Sequence, residues 1–171
     1  MAYSDAHPLR KLVRRIAATA PGSWVLARTL HHADRVVYRA SGERTTFASL
    51  LSGLPVVMLT STGAKSGRET TVPLLGFEEG DAVILIASNY GQAHHPAWFH
   101  NLRAQPRAWV VVRGERREVA AEEVESPERE RYLAVAAVAY PGYRRYEQRA
   151  APRRISVFRL TAERERAARR G

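Results

Sequence analysis

The sequence predicts an α+β protein in which about six mainly antiparallel strands form a small, closed or half-open barrel. Two observations lead to this fold class. Short β-favouring runs separated by glycine-containing turns occupy residues 56–124, and a last alternating run covers 155–160. Helical periodicity appears before residue 55 and again at 126–139. With 171 residues, 45% of them hydrophobic, the chain fits one domain with its own core.

Composition limits the function classes. A formal net charge of +10 favours an anionic partner, which could be a nucleic acid, a membrane surface or a polyanionic cofactor. Basic residues do not alternate with aromatic ones, so no nucleic acid is expected. The absence of cysteine excludes disulfides and thiolate metal sites. No apolar run reaches the roughly 20 residues that span a bilayer, so a cytoplasmic location is expected.

Residues 1–55 are predicted to form a helical extension that packs on the barrel or flanks it. Leu9, Leu12 and Ile16 recur at helical spacing, with arginines on the opposite side. This amphipathic helix either packs on the domain or makes peripheral contact with an anionic membrane. The barrel domain is predicted at 56–160, and residues 161–171 form a basic tail that interleaves glutamate.

The first strand runs into a turn that is rich in hydrogen-bond donors. Residues 56–59 form an apolar β-favouring run, and both glycines of the turn at 63–67 can take positive φ without a Cβ clash. The turn lacks the spacing of a Walker loop. A solvated hairpin turn is the alternative to a pocket for phosphate or carboxylate. The donors that would form such a pocket are Thr60, Thr62, Lys65, Ser66 and Arg68.

The next two strands differ in their predicted surroundings. Pro73 cannot donate to a ladder, so the strand at 69–77 is expected to be an edge there or to carry a bulge. Residues 82–87 are apolar at every position, which predicts a buried central strand. A polar loop follows and leads into Pro96, which suits the start of a helix at 97–104. His94 and His95 have no third ligand at a useful spacing, so no metal site is expected.

Three tyrosines near the C-terminus are spaced three residues apart around a Pro-Gly break. Tyr140, Tyr143 and Tyr146 follow a helix that Ser126 and Pro127 open. Aromatic residues at this spacing pack in a core or a lid, or line a cleft in which their phenols donate to a substrate oxygen.

Four ordered motifs carry a resemblance to a known family between Val56 and Leu160. They are Thr-Ser-Thr-Gly-Ala-Lys-Ser-Gly-Arg at 60–68 with Val-Pro-Leu at 72–74, Ala-Ser-Asn-Tyr-Gly at 87–91, Pro-Ala-Trp-Phe-His-Asn-Leu at 96–102, and Tyr-Pro-Gly-Tyr at 140–143. Together they resemble the deazaflavin-dependent nitroreductase family. The resemblance implies a split β-barrel of the FMN-binding-like kind that binds the deazaflavin coenzyme F420, whose phosphate and glutamate tail are anionic.

The resemblance also implies roles for particular residues. The turn would hold the phosphate and tail, the second strand would lie along the cofactor, and the end of the third strand would border its ring. The implied cofactor contacts are Thr62, Lys65, Ser66, Arg68, Pro73, Leu75, Ala87, Ser88, Trp98 and Asn101. The implied catalytic or substrate-lining residues are Ser88, Tyr140, Tyr143 and Tyr146.

The expected function is that of a reductase that uses reduced F420. Hydride would pass from the deazaflavin to an electrophilic small molecule such as an enone, a quinone or a nitroaromatic compound. Ser88 and Tyr140 would donate hydrogen bonds to the acceptor oxygen. A non-catalytic F420 carrier and an FMN- or haem-binding split-barrel protein are the alternatives. The sequence leaves the oligomeric state open.

Overall fold

Six strands and three helices make up the part of the chain that the computed structural model describes, which is residues 56–139 and 142–162. A 3₁₀ turn, Asn89–Gly91, follows the third strand. The strands are β1 (Val56–Thr62), β2 (Glu69–Glu79), β3 (Ala82–Ile86), β4 (Arg107–Val112), β5 (Glu115–Val124) and β6 (Val157–Ala162). The helices are α1 (Ala97–Ala104), α2 (Glu128–Ala139) and α3 (Gly142–Ala150).

The strands close into an antiparallel barrel in the order β1-β2-β3-β6-β5-β4, with β4 pairing back onto β1. The predicted fold class is therefore confirmed. Each strand alternates its side chains between the two faces of the sheet, so one set fills the barrel and the other lies outside it. In β3, Val83 and Leu85 belong to the interior, whereas Ile84 and Ile86 belong to an outer layer.

Helix α1 closes one end of the barrel interior. It contributes Trp98, Phe99 and Leu102 to the same buried cluster as the inward-facing strand residues. The Trp98 ring lies edge-on to Phe158 of β6, with centroids 5.8 Å apart. Because α1 packs among the ends of the strands, it supports the loops and turns that surround it.

The outer layer explains why β3 is apolar on both faces. Helices α2 and α3 pack over it through Tyr132, Leu133, Tyr143 and Tyr146, which cluster with Ile84. The prediction of a buried central strand is confirmed, since all five residues of β3 are buried. Helix α3 was not predicted, because the Pro-Gly break and the polar stretch after it favour a loop. Its buried positions at 143, 146 and 150 fall on one helical face.

The barrel opens along part of β2. Residues 69–75 pair with β1, but only residues 76–79 pair with β3. Pro73 therefore lies on a free edge, as predicted. Beyond Ile86 the chain follows β6, because the Ala87 N–H donates to the Ser156 carbonyl at 2.8 Å. Continuing the β2–β3 register would place Ser88 opposite Pro73, so the two sides of the opening are the free edge of β2 and the start of the loop after β3.

Several predictions fall outside the described residues. The helical extension at 1–55, its amphipathic helix with the expected membrane contact, Tyr140, and all but the first two residues of the tail are among them. Within the described residues, every helix is too short or too polar to cross a membrane.

Candidate functional site

The turn between β1 and β2 depends on its two glycines. The Gly63 N–H donates to the Arg68 carbonyl and the Gly67 N–H donates to the Gly63 carbonyl, both at 2.8 Å. Gly67 has a φ of 66°, a backbone conformation that is unfavourable for residues with a Cβ. A Cβ on Gly63 would displace the Ser66 hydroxyl and lie 3.2 Å from the Arg68 carbonyl oxygen. The chain therefore folds tightly back on itself and places the side chains of the turn outside.

Asn101 anchors this turn to α1. Its amide nitrogen donates to the Ser61 Oγ at 3.1 Å, and its Oδ1 accepts from the Ala64 N–H at 3.0 Å. The side chain is buried, with 8% of the residue exposed. The sequence resemblance implies that Asn101 contacts the cofactor, and that contact stays a prediction. In the structure both ends of its amide bind the protein, so the residue fixes where the turn lies.

The cations of the turn have no carboxylate partner within the described residues. Lys65 and Arg68 are exposed and form no ion pair there, and Ser66 is exposed between them. The hydroxyl of Thr60 is hydrogen-bonded to Thr71 across the ladder at 2.8 Å. Thr62 lies at the last ladder position before the turn. The positive charge of Lys65 and Arg68 is therefore available to an anion.

The opening in the barrel has apolar residues on β2 and a serine at the start of the loop after β3. Pro73 and Leu75 are half-buried on β2, and Leu75 packs against the outer layer. Ser88 is also half-buried. Ala87 differs from these residues, because the whole residue is buried and its side chain lies inside the barrel, so its contact with a cofactor stays a prediction. The opening thus combines an apolar side on β2 with a hydroxyl on the loop.

The loop after β3 has an unusual backbone. Asn89, Tyr90 and Gly91 have φ values of 47°, 55° and 76° in succession. Such conformations cost energy for residues with a Cβ and are found at ligand sites when the surroundings enforce them. Gly91 has no room for a side chain, since a Cβ would lie 3.0 Å from the Tyr146 Cα. The Asn89 amide nitrogen donates to the His94 carbonyl at 3.0 Å.

Two arginines bind the carbonyl groups of this loop. Arg153 donates to the carbonyls of Ala87, Ser88 and Gln92 at 3.0, 2.8 and 3.1 Å. Arg149 donates to the Tyr90 carbonyl at 3.2 Å. Burial lowers the pKa of Arg153 from its ordinary value. Neither residue carries a signal in the sequence, because any backbone carbonyl can accept these bonds.

Two of the three tyrosines that the sequence singled out lie within the described residues, and both are buried rather than exposed in a cleft. Tyr143 and Tyr146 are 7% and 4% exposed, and their ring centroids lie 5.9 Å apart. Tyr146 also lies edge-on to Tyr90 at 6.3 Å, which ties α3 to the loop that follows Ser88. Trp98 is likewise buried, at 6% exposure. Direct contact of these three side chains with a ligand stays a prediction.

His95 lies beside the site, between Phe99 and Arg153. Its ring stacks on Phe99 with centroids 3.8 Å apart, and its Nδ1 is 3.4 Å from an Arg153 nitrogen. Burial lowers the pKa of His95, and the positive charge of Arg153 adds to that effect. The imidazole is therefore neutral at pH 7. Within the described residues, no three His, Asp or Glu side chains are grouped to hold a metal ion.

The chain was also compared with protein families and with solved structures. The family model for F420H(2)-dependent quinone reductase matches residues 30–162. The chain belongs to this family. The solved structure described as F420-H2 dependent reductase FDR-A is 37% identical, covers 62% of this chain and 93% of its own, and has a TM-score of 0.57. A structure described as a domain-swapped dimer is 32% identical, covers 82% and 99%, and has a TM-score of 0.59.

Curated relatives match over shorter stretches. The F420H(2)-dependent quinone reductase Rv1261c of Mycobacterium tuberculosis is 37% identical over 71 residues, which are 42% of this chain and 48% of that protein. A second relative from that organism, Rv3178, is 36% identical over 78 residues, or 46% and 66% of the two chains. The match thus spans between about half and two thirds of these relatives. The resemblance drawn from the four sequence motifs is confirmed at the level of the family.

Proposed function

We propose that this member of the quinone reductase family transfers a hydride from reduced F420 to a quinone-type acceptor. The observation that carries the proposal is the opening along β2. It begins near the cationic turn at Lys65 and Arg68 and ends where the β2–β3 register would bring Ser88 opposite Pro73. One groove therefore combines an anion site with an apolar side and a hydroxyl.

The residues present fit the cofactor. Lys65 and Arg68, which pair with no carboxylate in the described part of the chain, suit its phosphate and glutamate tail. Charge-assisted hydrogen bonds to such groups are among the strongest in proteins. Pro73 and Leu75 provide apolar surface on which a planar ring can lie. Ser88 provides a hydroxyl that can donate to or accept from a ring or substrate oxygen.

The protein contributes binding and orientation, while bound reduced F420 would supply the hydride. Lys65, Ser66 and Arg68 would hold the anionic groups, and Leu75 would keep water from one face of the ring. The Ser88 hydroxyl would donate to the acceptor oxygen on which negative charge develops. Proton donation from the Tyr140 phenol is also proposed, on the sequence resemblance alone.

Fluorescence titration tests the proposal. Oxidised F420 is titrated into the purified protein, with FMN in parallel, and then into Lys65→Ala. The matched control is Arg116→Ala, which removes an equal charge from β5, outside the turn; the Arg116 guanidinium lies over the Trp109 ring. We expect saturable binding of F420, weakened about tenfold by Lys65→Ala, because a hydrogen bond to a charged group contributes about 1.5 kcal/mol or more.

Turnover then separates a reductase from a carrier. Reduced F420 and a soluble naphthoquinone are mixed with the protein, and the loss of quinone is followed. Binding without turnover, tested also with an enone and a nitroaromatic compound, would make the protein a carrier of F420. Preference for FMN would contradict the cofactor assignment. Equal weakening by the two alanine variants would remove the turn from the binding site.

A further inference from the structure

We propose that Arg153 is a positioning residue for this site. Its guanidinium holds the peptide between Ser88 and Asn89 in the orientation that presents the Ser88 side chain and the Asn89 N–H to a ligand carrying acceptor atoms. This inference rests on the proposed function for the identity of the ligand. The orientation of the peptide itself does not depend on that identity.

The contacts of Arg153 are concentrated on one loop. Its Nε and both terminal nitrogens donate to three carbonyls within residues 87–92, at 2.8 to 3.1 Å. The planar guanidinium places these donors in a rigid fork, which an ammonium group cannot imitate. Within the described residues Arg153 makes no ion pair with a carboxylate. Its side chain also approaches His95, whose Nδ1 is 3.4 Å away.

The geometry of one peptide connects Arg153 to the site. In a trans peptide the N–H points opposite to the carbonyl. Because the Ser88 carbonyl accepts from Arg153 at 2.8 Å, the Asn89 N–H is directed away from the guanidinium. Within the described residues this N–H has no hydrogen-bond partner. It is therefore a donor adjacent to the Ser88 side chain.

The same peptide is under conformational strain, which Arg153 offsets together with the Gly91 N–H, since that group also donates to the Ser88 carbonyl at 2.9 Å. Rotating the Ser88–Asn89 peptide by half a turn would move the φ of Asn89 from 47° to the negative range that its side chain favours. That rotation would turn the Ser88 carbonyl away from Arg153 and replace the Asn89 N–H by a carbonyl on the ligand side. A strained conformation of this kind costs about 1–3 kcal/mol and persists only where neighbours enforce it.

The variants Arg153→Met and Arg153→Lys test the proposal against Arg154→Met. Methionine keeps much of the length without donors, and lysine keeps the charge without the fork. Arg154 is the adjacent arginine, but it is exposed and contacts Glu125 and Ser126 instead of the loop. Amide hydrogen exchange at 87–95 is measured without ligand. The affinity for F420, kcat and KM are then measured with F420 and the quinone.

We expect faster exchange at 87–95 in Arg153→Met, with the exchange of β4 and β5 unchanged. We also expect a loss of about 100-fold in kcat, the size of effect that a misplacement of about 1 Å can cause. The affinity for F420 should change only a few-fold, because the turn at Lys65 binds the anionic groups separately. Arg153→Lys should recover part of kcat, and Arg154→Met should behave like the wild type.

Three results would overturn the inference. The first is that Arg153→Met has the same rate of hydrogen exchange at 87–95 and the same kcat as Arg154→Met. The second is an equal loss of kcat in the lysine and methionine variants together with exchange that is faster throughout the protein. The third is unfolding of both Arg153 variants, since the residue would then serve the whole fold. If the wild type does not bind F420, the proposed function is wrong, and hydrogen exchange still decides whether Arg153 holds the loop.

Discussion

The turns at the two ends of the barrel differ in how their cations are balanced. At the end formed by the β2–β3 and β4–β5 turns, Arg113 and Arg117 both pair with Glu78, at 2.8 and 2.9 Å. Arg131 binds both oxygens of Glu79, at 2.5 and 2.8 Å. At the end formed by the β1–β2 turn, Lys65 and Arg68 have no carboxylate partner within the described residues.

The difference distinguishes structural charges from charges that can bind a ligand. A cation paired with a carboxylate has a fixed geometry and a field that is largely cancelled nearby. An unpaired cation keeps its field, and beside a groove with an apolar side it attracts an anionic ligand. We therefore assign the balanced end to stability and the unbalanced end to binding. Each prediction below changes one of the two ends.

The largest effect is expected where the unbalanced end is anchored. Asn101→Leu leaves the buried Ser61 hydroxyl and the Ala64 N–H without their partner. An unsatisfied buried group costs about 1–3 kcal/mol, and water can reach the exposed Ala64, so the free energy of unfolding should fall by about 2 kcal/mol, mainly through Ser61. Urea denaturation measures this loss, and titration with F420 should show weaker binding because the turn is no longer fixed.

Gln105→Ala is the control for Asn101→Leu. Gln105 follows α1, and its side chain is exposed. The free energy of unfolding of Gln105→Ala should therefore stay within about 0.5 kcal/mol of that of the wild type. If the two variants unfolded at the same urea concentration, Asn101 would not be the anchor of the turn. If Asn101→Leu lost stability but bound F420 normally, the turn would hold its shape without α1.

The second prediction balances the unbalanced end without deleting a cation. Ala64→Glu places a carboxylate beside Lys65 on an exposed position of the turn. The new charge should pair with Lys65 and repel an anionic ligand, so the Kd for F420 should rise about tenfold, equivalent to about 1.4 kcal/mol. The effect should shrink as salt is added, because salt screens exposed charges.

Ala134→Glu is the matched control for the added charge. Ala134 lies on an exposed position of α2, outside the turn and the loop that border the groove. This variant has the same net charge as Ala64→Glu and should bind F420 as the wild type does. Equal weakening by both variants would mean that net charge governs affinity, and the contrast between the two ends would have no bearing on binding.

The fold was predictable because its signals are local. Glycine-containing turns bound the strands, and the apolar run at 82–87 marked the strand that is buried on both sides. Pro73 marked the free edge of β2, since proline cannot donate to a ladder. Helix α3 was missed because most of its residues are polar and a Pro-Gly pair precedes it. Only its packing on the outer layer shows which face is buried.

The candidate site was only half predictable. The donors of the turn are adjacent in sequence, so their residue types indicate an anion site directly. Arg153 acts on the Ser88 carbonyl 65 residues earlier, and Asn101 acts on the Ala64 N–H 37 residues earlier. Backbone groups are the same at every position, so no residue type along the chain marks such contacts. Ala87 lies inside the barrel because side chains alternate along β3, and an all-apolar strand does not show which of its two faces is the inner one.

The smallest effect is expected at the balanced end. The hydrogen bonds from Arg131, together with one from Tyr132, lower the pKa of Glu79 from 4.5 to about 2. A carboxyl group with a lowered pKa stabilises the fold fully above its ordinary pKa of 4.5 and loses that contribution as the pH falls toward 2. The contribution is modest, because the Glu79 side chain is 42% exposed and solvent screens the pair.

Glu79→Gln measures this contribution by pH. The wild type should be more stable than the variant at pH 7, and the difference in unfolding free energy should shrink between pH 4.5 and 2. Binding of F420 at pH 7 should be the same in both proteins, because Glu79 lies at the end away from the turn. A stability difference that stays constant down to pH 2 would contradict the assigned pKa. Altered binding would contradict the separation of the two ends, since a structural ion pair would then act on the ligand.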